Sequence, residues 1–331
     1  MNRSKIVAKA AGVVLTALFV LAMTLGMTSA IAADKYPAKA VTVIHGYKPG
    51  GGSDQLAQLT QPFLEKVLKQ RFINVYKPGA DAAIALKEVG KDTKPDGYTL
   101  TPCLTPATQL NSIRNPSAGY TMADFNPIAN MIFDPGILVV APDSKFKTLQ
   151  DLLDAAKKAP GQIRLSHSGT GGDDWFNALL ISKLSGATFN LVPFEGDGPA
   201  WQAAAGGHVD VCSTNVGIVT GPVRGKKLRA LAVYADKRLA PLPDIPTLKE
   251  QGINLIEGSY RGYMAPKGTP QGIIDILADG LEKVAADSQY KAACNALSLV
   301  ADFKRGNVFK TFLDKEEEMI LTIAKEMKLV P

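Results

Sequence analysis

From Lys39 onward the chain alternates short β-branched runs with longer stretches whose apolar residues recur every three or four positions. The first pattern predicts strands and the second helices. Strands are expected over residues 41–47, 73–76, 98–103, 163–167, 189–193, 209–212, 228–234 and 259–265. Residues 55–70 place Leu56, Leu59, Phe63 and Val67 on one helical face, and Pro62 should kink or restart that helix because it has no N–H to give. A short helix is expected over 81–90, another from Thr148, where Asp151 completes a near capping box, to Pro160-Gly161. Thr269-Pro270 opens a helix over 271–286, and residues 307–327 carry Phe309, Phe312, Leu313, Ile320, Ile323 and Met327 at the spacing of core packing. Residues 128–133 and 137–141 read as two extended pieces joined by a bend at Asp134-Pro135-Gly136, the first crossing between domains; 259–265 is the second. Such alternation predicts an α/β fold with largely parallel strands.

The N-terminus departs from this pattern. Arg3, Lys5 and Lys9 precede an uncharged, mostly apolar run that ends in Ser29-Ala30-Ile31-Ala32 and then Ala33-Asp34-Lys35. Residues 1–32 therefore read as a secretory signal peptide cleaved after Ala32. Gly12, Thr16, Thr24 and Gly26 weigh against the alternative, an uncleaved membrane anchor. The first cysteine is Cys103, far from the cleavage point, so a soluble periplasmic protein is expected rather than a lipid-anchored one.

Removing the leader lowers the basic residues from 37 to 34 against 31 acidic ones, a mature chain near +3. The charges are interspersed, which argues against a nucleic-acid surface. The 299 remaining residues suggest two domains. Cys103, Cys212 and Cys294 are odd in number and lie in no metal or redox spacing; they read as small buried core residues, with one internal disulfide left open.

Candidate chemistry centres on two glycine-rich turns, Pro49-Gly50-Gly51-Gly52-Ser53-Asp54 and Ser168-Gly169-Thr170-Gly171-Gly172-Asp173, each after an expected strand and before an expected helix. Glycines let backbone N–H groups approach a ligand, Ser53 offers a helix N-cap and a hydroxyl, and the helix dipole favours an anion. In parallel sheets ligands collect at the carboxyl ends of strands, which adds the loop from Thr105 to Thr108 and the strand end at Ser213, Thr214 and Asn215. No Lys-Ser or Lys-Thr follows the first glycines, the second turn lacks the third glycine of a dinucleotide site, and no Gly-x-Ser-x-Gly occurs, so nucleotide and hydrolase chemistry are not indicated. His45, His167 and His208 have no metal-type spacing; His45 and His167 precede the two turns and read as structural residues or donors to them. No catalytic residue, cofactor or metal is expected.

A family resemblance runs from Tyr36-Pro37 to Pro331. It is carried by Tyr36-Pro37-Ala38-Lys39, the first glycine turn, Lys77-Pro78-Gly79-Ala80, Pro95-Asp96-Gly97-Tyr98-Thr99-Leu100, Gly169-Thr170-Gly171, Val192-Pro193-Phe194, Gly206-Gly207-His208-Val209-Asp210, the run from Lys227 to Val233, Leu242-Pro243-Asp244-Ile245-Pro246-Thr247 and Ala265-Pro266-Lys267-Gly268-Thr269-Pro270. In order and spacing these resemble the periplasmic solute receptors of tripartite tricarboxylate transporters, also called Bug-type receptors. The resemblance implies a type II periplasmic-binding-protein fold: two α/β lobes, residues 33–135 with 259–331 and residues 136–258, joined by two crossover strands around a ligand cleft. It implies a monomer that captures a small organic acid and hands it to membrane transporter subunits. Tyr47 would wall the site, Gly51, Gly52 and Ser53 would bind one carboxylate, and Ser168, Thr170, Gly171 and Gly172 would face it, with Thr105 and Asn215 nearby.

Departures from the family pattern bear on specificity. Ala80-Asp81-Ala82-Ala83 stands where the family is glycine-rich, Gly172 where serine is frequent, and Phe194-Glu195-Gly196 where Tyr-Lys-Gly is usual. Asp81, Asp173 and Glu195 thus bring acid near a site built for anions, unless they point to solvent or cap helices, and this raises the weight of a ligand with a protonated amine or with one small anionic group. An exported enzyme on this fold and a ligand-sensing subunit for a membrane kinase are the remaining alternatives.

Overall fold

The structure is a computed structural model and describes residues 36–330; the expected leader and its cleavage point lie outside the described residues. The apolar run after Lys39 forms β1 (Val41–His45), with Val41 and Val43 sealed in the core. It is followed by α1 (Gly52–Leu68), β2 (Phe72–Tyr76), α2 (Ala83–Lys87), β3 (Thr99–Thr105) and α3 (Ala107–Arg114). β1 runs parallel to both β2 and β3. After β4 (Phe125–Val140) comes a second group: α4 (Leu149–Lys158), β5 (Ile163–His167), α5 (Asp173–Ser185), β6 (Phe189–Pro193), α6 (Asp197–Ala205), β7 (Val211–Asn215), α7 (Val216–Arg224) and β8 (Arg229–Val233). Here β5 runs parallel to β6 and β7. The chain ends with β9 (Gly258–Pro266), α8 (Gln271–Ala286), α9 (Ser288–Ala296), β10 (Val300–Arg305) and α10 (Gly306–Glu326).

Ten strands form one curled sheet in the order β2-β1-β3-β9-β4-β7-β5-β6, with β8 and β10 also on β4. The fold is a two-lobed α/β periplasmic-binding-protein fold whose lobes meet through β4 and β9. The expected bend in the first crossing is absent: β4 is a single strand of 16 residues. It pairs with β9 as far as Pro135 and with β7 and β8 from Gly136 onward. Proline's missing N–H falls where the partner changes, and the Gly136 N–H is taken at once by the Glu257 carbonyl at 2.9 Å. The strands cross so closely that a Cβ on Gly258 would stand 2.3 Å from the Asp134 carbonyl oxygen.

α10 belongs to both cores. Phe309 and Leu313 pack with Ile44, Cys103 and Met264 of the first group, whereas Ile320 and Ile323 pack with Leu138, Phe176 and Leu180 of the second. Pro62 does not restart α1; Pro62 and Gln58 are exposed, so water can serve the Gln58 carbonyl that proline leaves without a donor. β10, α7 and α9 carry little periodic signal. β10 has half-exposed and exposed side chains, α7 contains Pro222, and α9 is marked chiefly by the Asp287 cap on the Gln289 and Tyr290 N–H groups. Cys103, Cys212 and Cys294 are free and buried, and burial pushes the Cys103 thiol up to about 12.

The turn before α2 is strained. Ala80, Asp81 and Ala82 take φ of 48°, 51° and 73°, a region that costs an L-residue about 1–2 kcal/mol. The Asn111 side-chain amide donates to the Ala80 carbonyl at 3.0 Å and also to the Asp81 carbonyl. A Cβ on Gly46 would lie 2.2 Å from the Ala82 methyl, so these two residues are matched. Ala80 is exposed, and Ala80→Gly is expected to raise stability by about 0.5–1 kcal/mol in urea denaturation, with a loss refuting strain at this position.

Candidate functional site

The first glycine turn carries the chain from β1 into α1. Gly51 is the N-cap and makes no side-chain cap bond, so Ser53 stands inside the first helical turn and is not the expected cap. Asp54 takes the capping role: its carboxylate accepts from the Gly50 N–H at 2.8 Å, from Gln58 Nε2 at 2.9 Å and from the Tyr76 hydroxyl at 2.5 Å. Ser53 is thereby released. Its Oγ is buried, at 1 % residue exposure, and has no partner. No acceptor among the described residues takes the N–H groups of Gly51, Gly52 or Ser53. A Cβ on Gly52 would lie 2.9 Å from Arg261 Cζ, so glycine here admits a guanidinium against the helix end.

Arg261, on β9, was not legible as a site residue. It is buried and paired with Asp134 of β4 at 2.6 Å, and its Nε donates to Ser259 Oγ at 3.1 Å and its Nη1 to Gln55 Oε1. Asp134 also accepts the Gly217 N–H, at the start of α7, at 2.8 Å. A charged residue inside an apolar strand is a signal that it needs a partner, but Asp134 lies 127 positions away in the chain.

The second turn has similar glycines and a different filling. Gly172 is the N-cap of α5, and the Asp174 carboxylate turns back onto the loop before it. Asp174 accepts the Ser168 N–H and, at 2.8 Å, the Trp175 N–H; Asp173 accepts from Asn215 Nδ2 at 2.6 Å. The two ends are thus lined differently: Asp54 binds back to Gly50 at the first, and Asp174 binds Ser168 and Trp175 at the second. His167 Nδ1 accepts the Gly169 N–H at 3.3 Å and thus shapes the turn, while His45 Nε2 meets Asn74 Oδ1 at 2.9 Å.

The remaining expected residues divide. Asn215 is buried between the Asp134 carbonyl and Asp173, and Thr105 is buried with its hydroxyl donated to Gln109 Oε1 at 2.6 Å. Thr170 is exposed, as are Asp81 and Glu195. Ser168 Oγ sits by Gly172, 3.3 Å from where a Cβ there would lie. Gly171, at φ +102°, has Arg114 of α3 against it: a Cβ would lie 2.8 Å from Arg114 Nη1. Arg114 also stacks on Trp175, 4.8 Å from the ring centre, so it spans from the first strand group to the second.

Tyr47 links the two turns electrostatically: its phenol is pushed up by burial and by the charges of Asp81 and Asp173. Burial likewise raises the carboxyl of Asp173, against the Asn215 amide and Arg261, and that of Asp174 further, with Asp197 and Asp173 adding repulsion. Asp197 is pushed up to about 6 by burial and then by Asp173, although it accepts the Thr214 hydroxyl at 2.8 Å.

Comparison with known proteins places this geometry. The family model described as "Tripartite tricarboxylate transporter family receptor" matches residues 56–300. The chain belongs to this family. The receptor is 31% identical over 291 residues to the "UPF0065 protein in gbd 5'region" of Cupriavidus necator, covering 88% of this chain and 87% of that one. A crystal structure of a TctC solute binding protein from Polaromonas, without ligand, superposes with a TM-score of 0.73 at 28% identity, covering 88% of this chain and 99% of the other. MatC of Rhodopseudomonas palustris, with bound malate, superposes with a TM-score of 0.77 at 25% identity, covering 87% and 99%. Receptors of this family are periplasmic solute-binding proteins.

The raised carboxyls make receptor stability depend on pH with a definite sign. Asp197 holds its proton more tightly folded than unfolded, so the folded state carries more protons between about pH 4 and 6 and loses stability as pH rises through that window. Asp197→Asn removes this contribution. Its stability relative to the parent is expected to grow from pH 5 to 7, to on the order of 1–2 kcal/mol, in paired thermal and urea denaturation. His45 and His167, lowered by burial, act in the opposite sense and cancel in the difference; a constant gap would sink the assignment.

Proposed function

We propose that the receptor captures a small organic carboxylate between its lobes and delivers it, without chemical change, to a tripartite tricarboxylate-type membrane transporter. The observation that carries this reading is Ser53 Oγ, buried without a partner beside the open N–H groups of the α1 end. A buried hydroxyl left unpaired costs about 1–3 kcal/mol, and a ligand carboxylate there would relieve it while meeting the helix dipole and facing Arg261. The malate in MatC fits that chemistry.

In this reading the lobes are residues 33–135 with 259–331 and residues 136–258, α10 packs on both, and the protein acts as an exported monomer after cleavage at Ala32. Gly51, Gly52 and Ser53 hold the carboxylate, Tyr47 walls the cleft, and Ser168, Thr170, Gly171, Gly172, Asn215 and Thr105 belong to its surroundings. A ligand that touches both lobes binds the closed form more tightly and shifts the hinge equilibrium toward the form a transporter would recognise.

Ser53→Ala is expected to weaken binding by about 1–3 kcal/mol in titration calorimetry without lowering the denaturation midpoint. The ligand for that titration would come from native mass spectrometry of freshly purified receptor, and unchanged affinity would reject the site. Arg114→Ala should speed ligand release by about two- to fivefold in stopped-flow Trp175 fluorescence, since it removes one cation–π contact between the strand groups.

A further inference from the structure

The Asp134 carboxylate divides its two oxygens between the two strand groups. Oδ2 accepts Arg261 Nη2 at 2.6 Å, and Arg261 Nη1 donates in turn to Gln55 Oε1 near the start of α1. Oδ1 accepts the Gly217 N–H at 2.8 Å, at the start of α7 in the second group. The Asp134 carbonyl takes Asn215 Nδ2 at 3.2 Å, and the same amide reaches Asp173 of α5 at 2.6 Å. A continuous chain of hydrogen bonds therefore joins the first turns of α1, α5 and α7. Its centre is sealed, with Asp134 0 % and Arg261 2 % exposed. Gly217 lets α7 come this close, since a Cβ there would stand 2.9 Å from Asp134 Oδ2 and 2.7 Å from Leu299 Cδ2.

The chain crosses where one strand group gives way to the other, because β4 leaves β9 for β7 and β8 directly after Asp134-Pro135. Hydrogen bonds hold over a few tenths of an ångström and weaken steeply once their angle falls below about 120°, so a rotation of one group about β4 and β9 cannot keep every link. In the arrangement described the groups touch: Arg114 of α3 lies against Gly171 and stacks on Trp175, and Ser53 is only 1 % exposed. We propose that Asp134 is the positioning residue of lobe closure, its carboxylate holding Arg261 and α7 together in the closed arrangement so that opening requires the chain to part. This rests on the reading of two lobes that close on a ligand, and it names the residue that sets their equilibrium. Asp134 thereby acts on affinity from behind Arg261, because apparent affinity scales with the fraction of receptor in the competent form.

The test is small-angle X-ray scattering of the mature receptor, dialysed free of small molecules, with two variants that cut the chain at opposite ends and leave both charges in place. Gly217→Ala sets a methyl group against Asp134 and Leu299, and Gln55→Met removes the acceptor of Arg261 Nη1. Each is expected to raise the radius of gyration above that of the parent while the far-ultraviolet circular dichroism spectrum stays the same, as a more open population requires. A purely structural role would lower the denaturation midpoint and leave the scattering of the folded protein unchanged; that result in either folded variant overturns the proposal. Should Gly217→Ala not fold, Gln55→Met decides alone. No ligand enters the measurement, so an unchanged radius leaves the carboxylate reading standing, and rejection of the Ser53 site by calorimetry leaves the scattering result intact.

Discussion

Burying a guanidinium together with a carboxylate costs several kcal/mol per ion, and Asp134 and Arg261 meet that cost with partners from four further sites. Gln55 of α1, Ser259 of β9 and the Gly217 N–H of α7 bond the pair's charged groups, and Asn215 bonds the Asp134 backbone. The pair stands where β4 exchanges β9 for β7 and β8, so the same interaction that ties the crossing strands also presents a cation to the end of α1. Removing either member would leave an uncompensated charge in the sheet. The lining of the α1 end and the integrity of the crossover are consequently one physical problem.

That arrangement explains why two turns of similar local composition do different work. α1 begins Gly-Ser-Asp, and its acid reaches back to the Gly50 N–H, leaving the following donors and Ser53 open. α5 begins Asp-Asp; Asp174 binds the Ser168 and Trp175 N–H groups, and Asp173 takes the Asn215 amide. Burial makes Asp173, Asp174 and Asp197 hold protons more tightly than exposed carboxyls do.

The turn before α2 stores strain of another kind. Ala80, Asp81 and Ala82 occupy left-handed backbone without glycine, held by Asn111 and by the fit of Ala82 onto Gly46 just ahead of Tyr47. Such strain concentrates at functional sites because the surroundings over-determine the conformation. Here it sets the wall next to the open helix end. Nothing in the local propensity of alanine or aspartate announces it.

Most of the strand and helix order, the two glycine turns and the α/β class were legible in the sequence, because hydrophobic period and glycine placement act over a few residues; β10, α7 and α9 were not. Ser53, Gly51 and Gly52 could be singled out for the same reason. What the residues at Asp134-Pro135-Gly136 do could not be read locally: a proline and a glycine look like a bend, yet the exchange of partners along β4 absorbs both. Arg261 stayed hidden because its meaning depends on Asp134, far off in the chain, and Arg114 because its contacts with Gly171 and Trp175 exist only when the two strand groups meet. Asp173 was legible as an acid that points to solvent, toward the site or onto its own helix; its bond to Asn215 was not. Sequence by itself determined most of the elements and where helix-end donors are available; the tertiary structure decided what stands against them, since Arg261 and its partner Asp134 come to the α1 end from far along the chain.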